Sequence, residues 1–141
     1  MPPTLSLTDR QRQIVTETFA RLVPISSQSA AIFYQRLWDI APETKLLFQT
    51  TDMTLQGMKL MQTLGLTVRA LHEPDSITPL LHDLGQRHVG YGVKVEQFES
   101  VKAALLWMIE QCIGADFTAE TRDAWIAAYD LIAGITLSAF D

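Results

Sequence analysis

Apolar residues return every three to four positions along most of this chain, and no stretch alternates with a period of two for long enough to need a strand. That spacing puts Ile14, Val15, Thr18, Phe19 and Leu22 on one face of a helix. Ile32, Phe33, Leu37 and Trp38 fall on a second, and Leu60, Leu64 and Leu71 on a third. Phe98, Val101, Leu105, Ile109 and Cys112 form a long fourth stripe. Trp125, Tyr129, Ile132, then Ile135 or Thr136, and Ala139 form a last one. Such a chain buries its stripes helix against helix, so the pattern predicts an all-α single domain of about seven to eight helices of unequal length.

The punctuation agrees with the periodicity. Thr8 and Gln11 have the spacing of a capping box at the start of the first helix. Pro24 separates the first two helices, and the second starts at Ser26 or Ser27. Pro42 suits the first turn of a short helix running to Leu47, which Phe48 closes. Thr51 or Asp52 caps a helix over about residues 54–72, and the run Glu73-Pro74-Asp75-Ser76 breaks the chain after it. Pro79 then opens a short helix that Gly90 and Gly92 stop. Gly114 ends the long fourth stripe and Thr118 caps the final helix.

Composition narrows the partners. A net charge of -5 argues against nucleic acid or an anionic membrane surface. One cysteine, Cys112, excludes an internal disulfide and a multi-thiolate metal site, and its apolar surroundings suit a buried inert thiol. The start shows no basic region followed by an apolar run, and the uncharged apolar run 131–140 is too short to span a bilayer, so a cytoplasmic protein is expected. His72 and His82 have polar or acidic neighbours and read as surface residues. No phosphate-binding glycine loop, His-Glu-x-x-His, Cys-x-x-Cys or Gly-x-Ser-x-Gly is present.

What remains is a set of inward polar side chains on three different helices: Tyr34, Gln56 and His88. Leu81 and Leu84 lie seven and four residues before His88 and share its face, so an imidazole sits on the apolar side of a short helix. A buried hydroxyl, amide and imidazole all need partners, and one bound group satisfies all three.

In order and spacing, these features resemble a globin, specifically a bacterial single-domain globin of the flavohaemoglobin-like (Vitreoscilla-haemoglobin-like) kind, from about residue 8 to residue 139. Phe-Tyr-Gln-Arg-Leu-Trp resembles the family's second helix, with Tyr34 as the distal tyrosine. Pro42 and Phe48 are similar to the proline of the short third helix and the phenylalanine that packs on the porphyrin. Gln56, Lys59 and Leu60 match the distal position, the residue near a haem propionate and the residue over the iron. Leu-Gly-Gln-Arg-His-Val-Gly-Tyr-Gly-Val matches the proximal segment, and Asp-Ala-Trp-Ile-Ala-Ala-Tyr, with Trp125 and Tyr129, the last helix.

The resemblance implies a globin fold around haem b, a single domain over residues 1–141 with 1–7 as an N-terminal extension, and His88 as the proximal iron ligand. Its second ring nitrogen would be held by the Leu84 carbonyl. Tyr34, Gln56 and Leu60 would form the distal ligand site, and Phe48, Lys59, Leu84, Arg87, Val93, Phe98 and Tyr129 would contact haem. The implied function is reversible, high-affinity O2 binding, with CO and NO as further ligands and a five-coordinate ferrous resting state.

The alternatives are NO dioxygenase, with Tyr34 and Gln56 as its catalytic pair and an external reductase, and a gas sensor acting through a partner. One departure matters: the positions where the family pairs its proximal histidine with a tyrosine and a glutamate are Phe98 and Phe140 here, and neither accepts a proton. That favours a neutral imidazole, suited to holding O2 rather than splitting it. The sequence leaves open the oligomeric state, and whether Tyr34 hydrogen-bonds Gln56 in the ligand-free protein or faces the ligand.

Overall fold

In the computed structural model, which describes residues 7–72, 79, 82, 83, 86, 87, 94 and 96–137, five α-helices and three 3-10 stretches can be given bounds among the described residues. The first helix, α1 (Asp9–Leu22), begins with the expected capping box: the Gln11 amide donates to Thr8 Oγ1 at 3.0 Å, and the Thr8 amide donates to Gln11 Oε1 at 3.0 Å. Ile14, Val15, Thr18 and Leu22 are its buried face. Leu7, just before it, is also buried, and its carbonyl accepts from Arg12 at 2.8 Å.

Pro24 lies in a 3-10 turn, Val23–Ile25, that leads directly into α2 (Ser26–Ile40). A second 3-10 stretch, Pro42–Phe48, occupies the place expected for a short helix, with buried Thr44 donating to the Ala41 carbonyl at 2.6 Å. Asp52 is the cap of α3 (Met53–Ala70), accepting from the amides of Thr54 and Leu55 at 3.0 and 3.3 Å. The backbone is helical at 79, 82, 83, 86 and 87, in keeping with the short helix expected to open at Pro79.

The fourth helix, α4 (Gln97–Ile113), stops at Gly114, whose φ of 61° is a conformation that side chains other than glycine's rarely adopt. Thr118 then accepts from the Thr121 amide at 3.2 Å and starts α5 (Ala119–Leu137).

Packing follows from these faces. The α2 helix lies mainly against α4 and α3, while α1 lies mainly against α5. Val15 and Leu22 from α1, Phe33 and Leu37 from α2, Met108 and Ile109 from α4, and Ala124 and Trp125 from α5 are all buried in one continuous core. Two faces differ from the sequence expectation. On α4 the buried residues include Ala104, Leu105, Leu106, Met108, Ile109 and Ile113, and Phe98, Val101 and Cys112 are only partly covered. This helix touches α2, α1 and α5 together, so burial spreads beyond a single stripe.

On α3 the side facing the core is Gly57, Met61, Thr67, Val68 and Ala70. Leu60 and Leu64 pack against that core but keep part of their surface uncovered. Of the leucine stripe read from the sequence, Leu71 is therefore buried in the core, and Leu60 and Leu64 lie at its edge.

Candidate functional site

The α2 face that carries Tyr34 meets the first turns of α3, and this crossing sets the geometry of the distal side. Gly57 makes it close: a Cβ built there would lie 3.0 Å from the Cβ of Ala30. With the helices this near, Gln56 on α3 reaches Tyr34 on α2, and its Nε2 donates to the Tyr34 hydroxyl at 3.1 Å. Tyr34 is only 6% exposed. Its hydroxyl therefore accepts a hydrogen bond while its own hydrogen has no acceptor among the described residues. Burial raises its pKa above the ordinary tyrosine value, outweighing the opposite effect of the Gln56 hydrogen bond, so the group holds its proton.

An aromatic cluster fixes the ring. Phe33 meets Tyr34 edge-on with centroids 5.0 Å apart, Phe48 does so at 5.3 Å, and Trp38 lies at 6.0 Å in a tilted arrangement. Such contacts each contribute about 0.5–1.5 kcal/mol beyond the area they bury. Phe48 from the 3-10 stretch after Pro42 is thereby placed beside the tyrosine. Trp38 also touches Phe48, with centroids at 6.1 Å, and Lys45 lies over its ring at 5.3 Å.

The other expected site residues fall into three groups. Leu60 is half-buried near the core edge, and Lys59 beside it is exposed. Tyr129 and Arg87 have partners of their own. The Tyr129 hydroxyl donates to the Phe98 carbonyl at 2.6 Å, tying α5 to the first turn of α4. Burial, then the nearby charges of Glu99 and Asp130, raise its pKa. Arg87 is exposed and ion-paired with Asp83 one turn back, at 2.7 Å. His88, Leu84, Val93 and Phe140 lie outside the described residues.

His72 and His82 are exposed, as expected, and His72 Nε2 lies 2.8 Å from Thr16 Oγ1. Cys112 is partly rather than fully buried, 3.4 Å from Ser29 Oγ. No cluster of three or more metal-binding side chains occurs among the described residues.

Two features of the site escaped the sequence reading. Gly57 sets the α2–α3 approach, and its signal was available, because a glycine inside a helical pattern costs about 1 kcal/mol and flags close contact. Trp38 was read only as a core residue; its Nε1 is buried without a hydrogen-bond partner.

These residues suit a large flat apolar group with a polar ligand on one side. Phe48, Leu60, Leu64, Val101 and Ile132 all pack on the core yet remain partly uncovered. The uncommitted hydroxyl hydrogen of Tyr34 supplies a donor close to Phe48.

The site is thus a buried tyrosine held by a half-buried glutamine, in an all-helical domain that leaves apolar side chains partly uncovered at the edge of its core. The sequence pattern of the Globin family matches residues 31–135, and the chain belongs to the globin family. Its cofactor is haem. Among curated proteins the chain is similar to the neuroglobin of Chaenocephalus aceratus, 23% identical over 139 residues that cover 89% of this chain and 87% of that protein. It is similar also to the neuroglobin of Tetraodon nigroviridis, 24% identical with the same coverage. These relatives share the family without marking the chain as bacterial. No helix among the described residues is long and apolar enough to cross a membrane.

Proposed function

We propose that this single-domain globin is a cytoplasmic O2-binding protein of the flavohaemoglobin-like kind, in which Tyr34 and Gln56 hold the ligand tightly. The observation that carries the reading is the buried Tyr34 hydroxyl, which accepts from Gln56 at 3.1 Å and keeps its own hydrogen available. Haem b, when bound, supplies a ferrous centre that takes O2, CO or NO and shifts negative charge onto O2 in particular. Tyr34 would then donate to the ligand oxygen, and its raised pKa keeps that proton in place. Gln56 orients the tyrosine in the free protein and can turn its amide toward the ligand as a second donor.

Hydrogen bonds to charged acceptors contribute about 1.5–3 kcal/mol each. Two such donors slow release by about a hundredfold or more, since ~1.4 kcal/mol is a factor of ten. Bound CO carries less charge and gains less.

By the family resemblance, His88 would be the proximal ligand, with the Leu84 carbonyl as acceptor for its second ring nitrogen. With Phe98 and Phe140 in place of proton acceptors, that imidazole would stay neutral. Lys59, exposed on α3, serves a propionate, and Leu60 and Phe48 offer apolar contact. Arg87, Val93, Phe98 and Tyr129 complete the proposed haem contacts, although the hydroxyl of Tyr129 is already committed to Phe98. Gln56 is a poor iron ligand, so the ferrous resting state would be five-coordinate.

The same donors serve a second reading, NO dioxygenase with an external reductase. NO consumption over many cycles with and without a reductase separates the two. Sustained, reductase-dependent turnover supports the enzyme; rapid O2 binding, slow release and slow autoxidation support the carrier.

A further inference from the structure

The outer ridge formed by α2 and α4 carries side chains that the proposed ligand site does not use. Arg36 on α2 lays its guanidinium over the Trp107 ring of α4, 4.1 Å from the centroid. Even so covered, Trp107 is 38% exposed, a large apolar surface to leave in water. Arg36 has no ion pair among the described residues, and its Nε is buried without a hydrogen-bond partner. A guanidinium held flat by stacking, with no carboxylate beside it, is one half of a charge-assisted contact.

The layout of the ridge follows from the contacts. Ser29 of α2 lies 3.4 Å from Cys112 of α4, and Arg36 lies over Trp107, so the two helices run antiparallel. Ile40, one turn on from Arg36, is therefore level with Ala103, one turn back from Trp107, and both are exposed. Cys112 marks the side of α4 that faces α2. Lys102, paired with Asp130 at 2.9 Å, marks the side that faces α5. Helical spacing puts Glu110 between Trp107 and Lys102, and so across the tryptophan from Arg36. Glu110 is exposed and has no ion pair among the described residues. From the α2 side to the α5 side the ridge reads cation, aromatic, anion.

We propose that this ridge is an interface between two copies of the chain, related by a two-fold axis beside Trp107, with Arg36 of each copy meeting Glu110 of the other. A two-fold interface sets residue i against j and j against i, so it needs opposite charges on opposite flanks of its centre. This ridge has them. Tryptophan and arginine are the residues that most often carry binding energy at the middle of such contacts, and Ile40 and Ala103 extend the apolar surface around them. An anionic membrane or an acidic partner would satisfy Arg36 but confront Glu110. A second copy satisfies both. Each copy carries a net charge of -5 and repels the other at a distance, so association depends on this local pairing. A ridge of two helices makes a small contact, and the dimer is reversible.

Sedimentation equilibrium of the haem-loaded protein, at concentrations up to about 1 mM, should show monomer and dimer and no larger species. Arg36→Glu and Glu110→Arg each set like charges together at both contacts of the two-fold pair, so each should weaken the dimer by about tenfold or more. Mixed in equal amounts, the two variants should dimerise again, because the mixed pair has opposite charges at both contacts. Circular dichroism checks that each variant is folded. Glu110→Arg lies at an exposed position and leaves the Arg36 stack in place, so it decides the contact alone should Arg36→Glu not fold. A parent protein that stays monomeric throughout, a dimer that Glu110→Arg leaves unchanged, or a mixture of the two folded variants that stays monomeric overturns the interface.

Discussion

Replacing Tyr34 by phenylalanine removes one oxygen atom from a site that is otherwise fixed by packing. The ring contacts with Phe33, Phe48 and Trp38 do not depend on the hydroxyl, so the substituted ring should occupy the same place. The ligand loses a donor worth about 1.5–3 kcal/mol, which converts to a rise in O2 dissociation of roughly 10- to 150-fold. Two effects soften the loss, the first in dissociation rate and the second in affinity. Gln56, half-buried and deprived of its 3.1 Å acceptor, is free to turn its amide to the ligand instead. The free protein also loses that hydrogen bond, about 0.5–1.5 kcal/mol, which raises the ground state from which binding starts.

Stopped-flow displacement of O2 by CO measures the rate, with CO dissociation as the control that should move much less. The double variant with Gln56→Leu gives the coupling between the two side chains, expected at about 0.5–3 kcal/mol for groups in direct contact. An unchanged O2 dissociation rate in Tyr34→Phe, with the protein still folded and haem-loaded, would refute the donor role.

Other consequences are equally open to measurement. His88→Ala should lose or loosen haem and, with it, the stabilisation that a tightly bound cofactor adds to the native state; haem transfer to an acceptor protein and thermal unfolding read both. Gly57→Val should destabilise by about 1–3 kcal/mol in urea unfolding, because a Cβ there meets Ala30 at 3.0 Å and that methyl has no rotamer to escape into. Arg87→Ala should change stability by no more than about 1 kcal/mol, since its pairing with Asp83 is exposed to solvent. Tyr34 and Tyr129 both have raised pKa values, so their contribution is intact below pH 10, the ordinary tyrosine value, and is lost as pH rises above it. Unfolding free energy should then fall as pH rises above 10, with a slope of up to about 1.4 kcal/mol per pH unit from Tyr129, and Tyr129→Phe should remove that share of the slope.

The caps and corners were legible because they are local: Thr8 with Gln11, Pro24, Gly114 and Thr118 act over three or four residues, and each stands at the helix boundary expected of it. The inward direction of Tyr34 and Gln56 was legible for a related reason, since helical period alone aims them. Their mutual hydrogen bond stood only as an alternative in the sequence, because it depends on how closely two helices approach, and that is set by Gly57 against Ala30. The buried face of α4 was misjudged for the same kind of reason, as a helix packed on several sides has no single stripe. Arg36 over the exposed Trp107 ring, 4.1 Å from its centroid, is a further contact between α2 and α4 that no spacing rule signals.

The central claim is that His88 holds haem in a five-coordinate ferrous state with Tyr34 and Gln56 left free for the incoming ligand. The absorption spectrum of the dithionite-reduced, haem-reconstituted protein tests it most directly, compared with that of His88→Ala. A five-coordinate, histidine-ligated haem should give a broad high-spin ferrous spectrum that converts cleanly to an O2 or CO complex, and that species should be lost in the variant. A six-coordinate low-spin ferrous spectrum, no Soret band after reconstitution, or an unaltered spectrum in His88→Ala would contradict it.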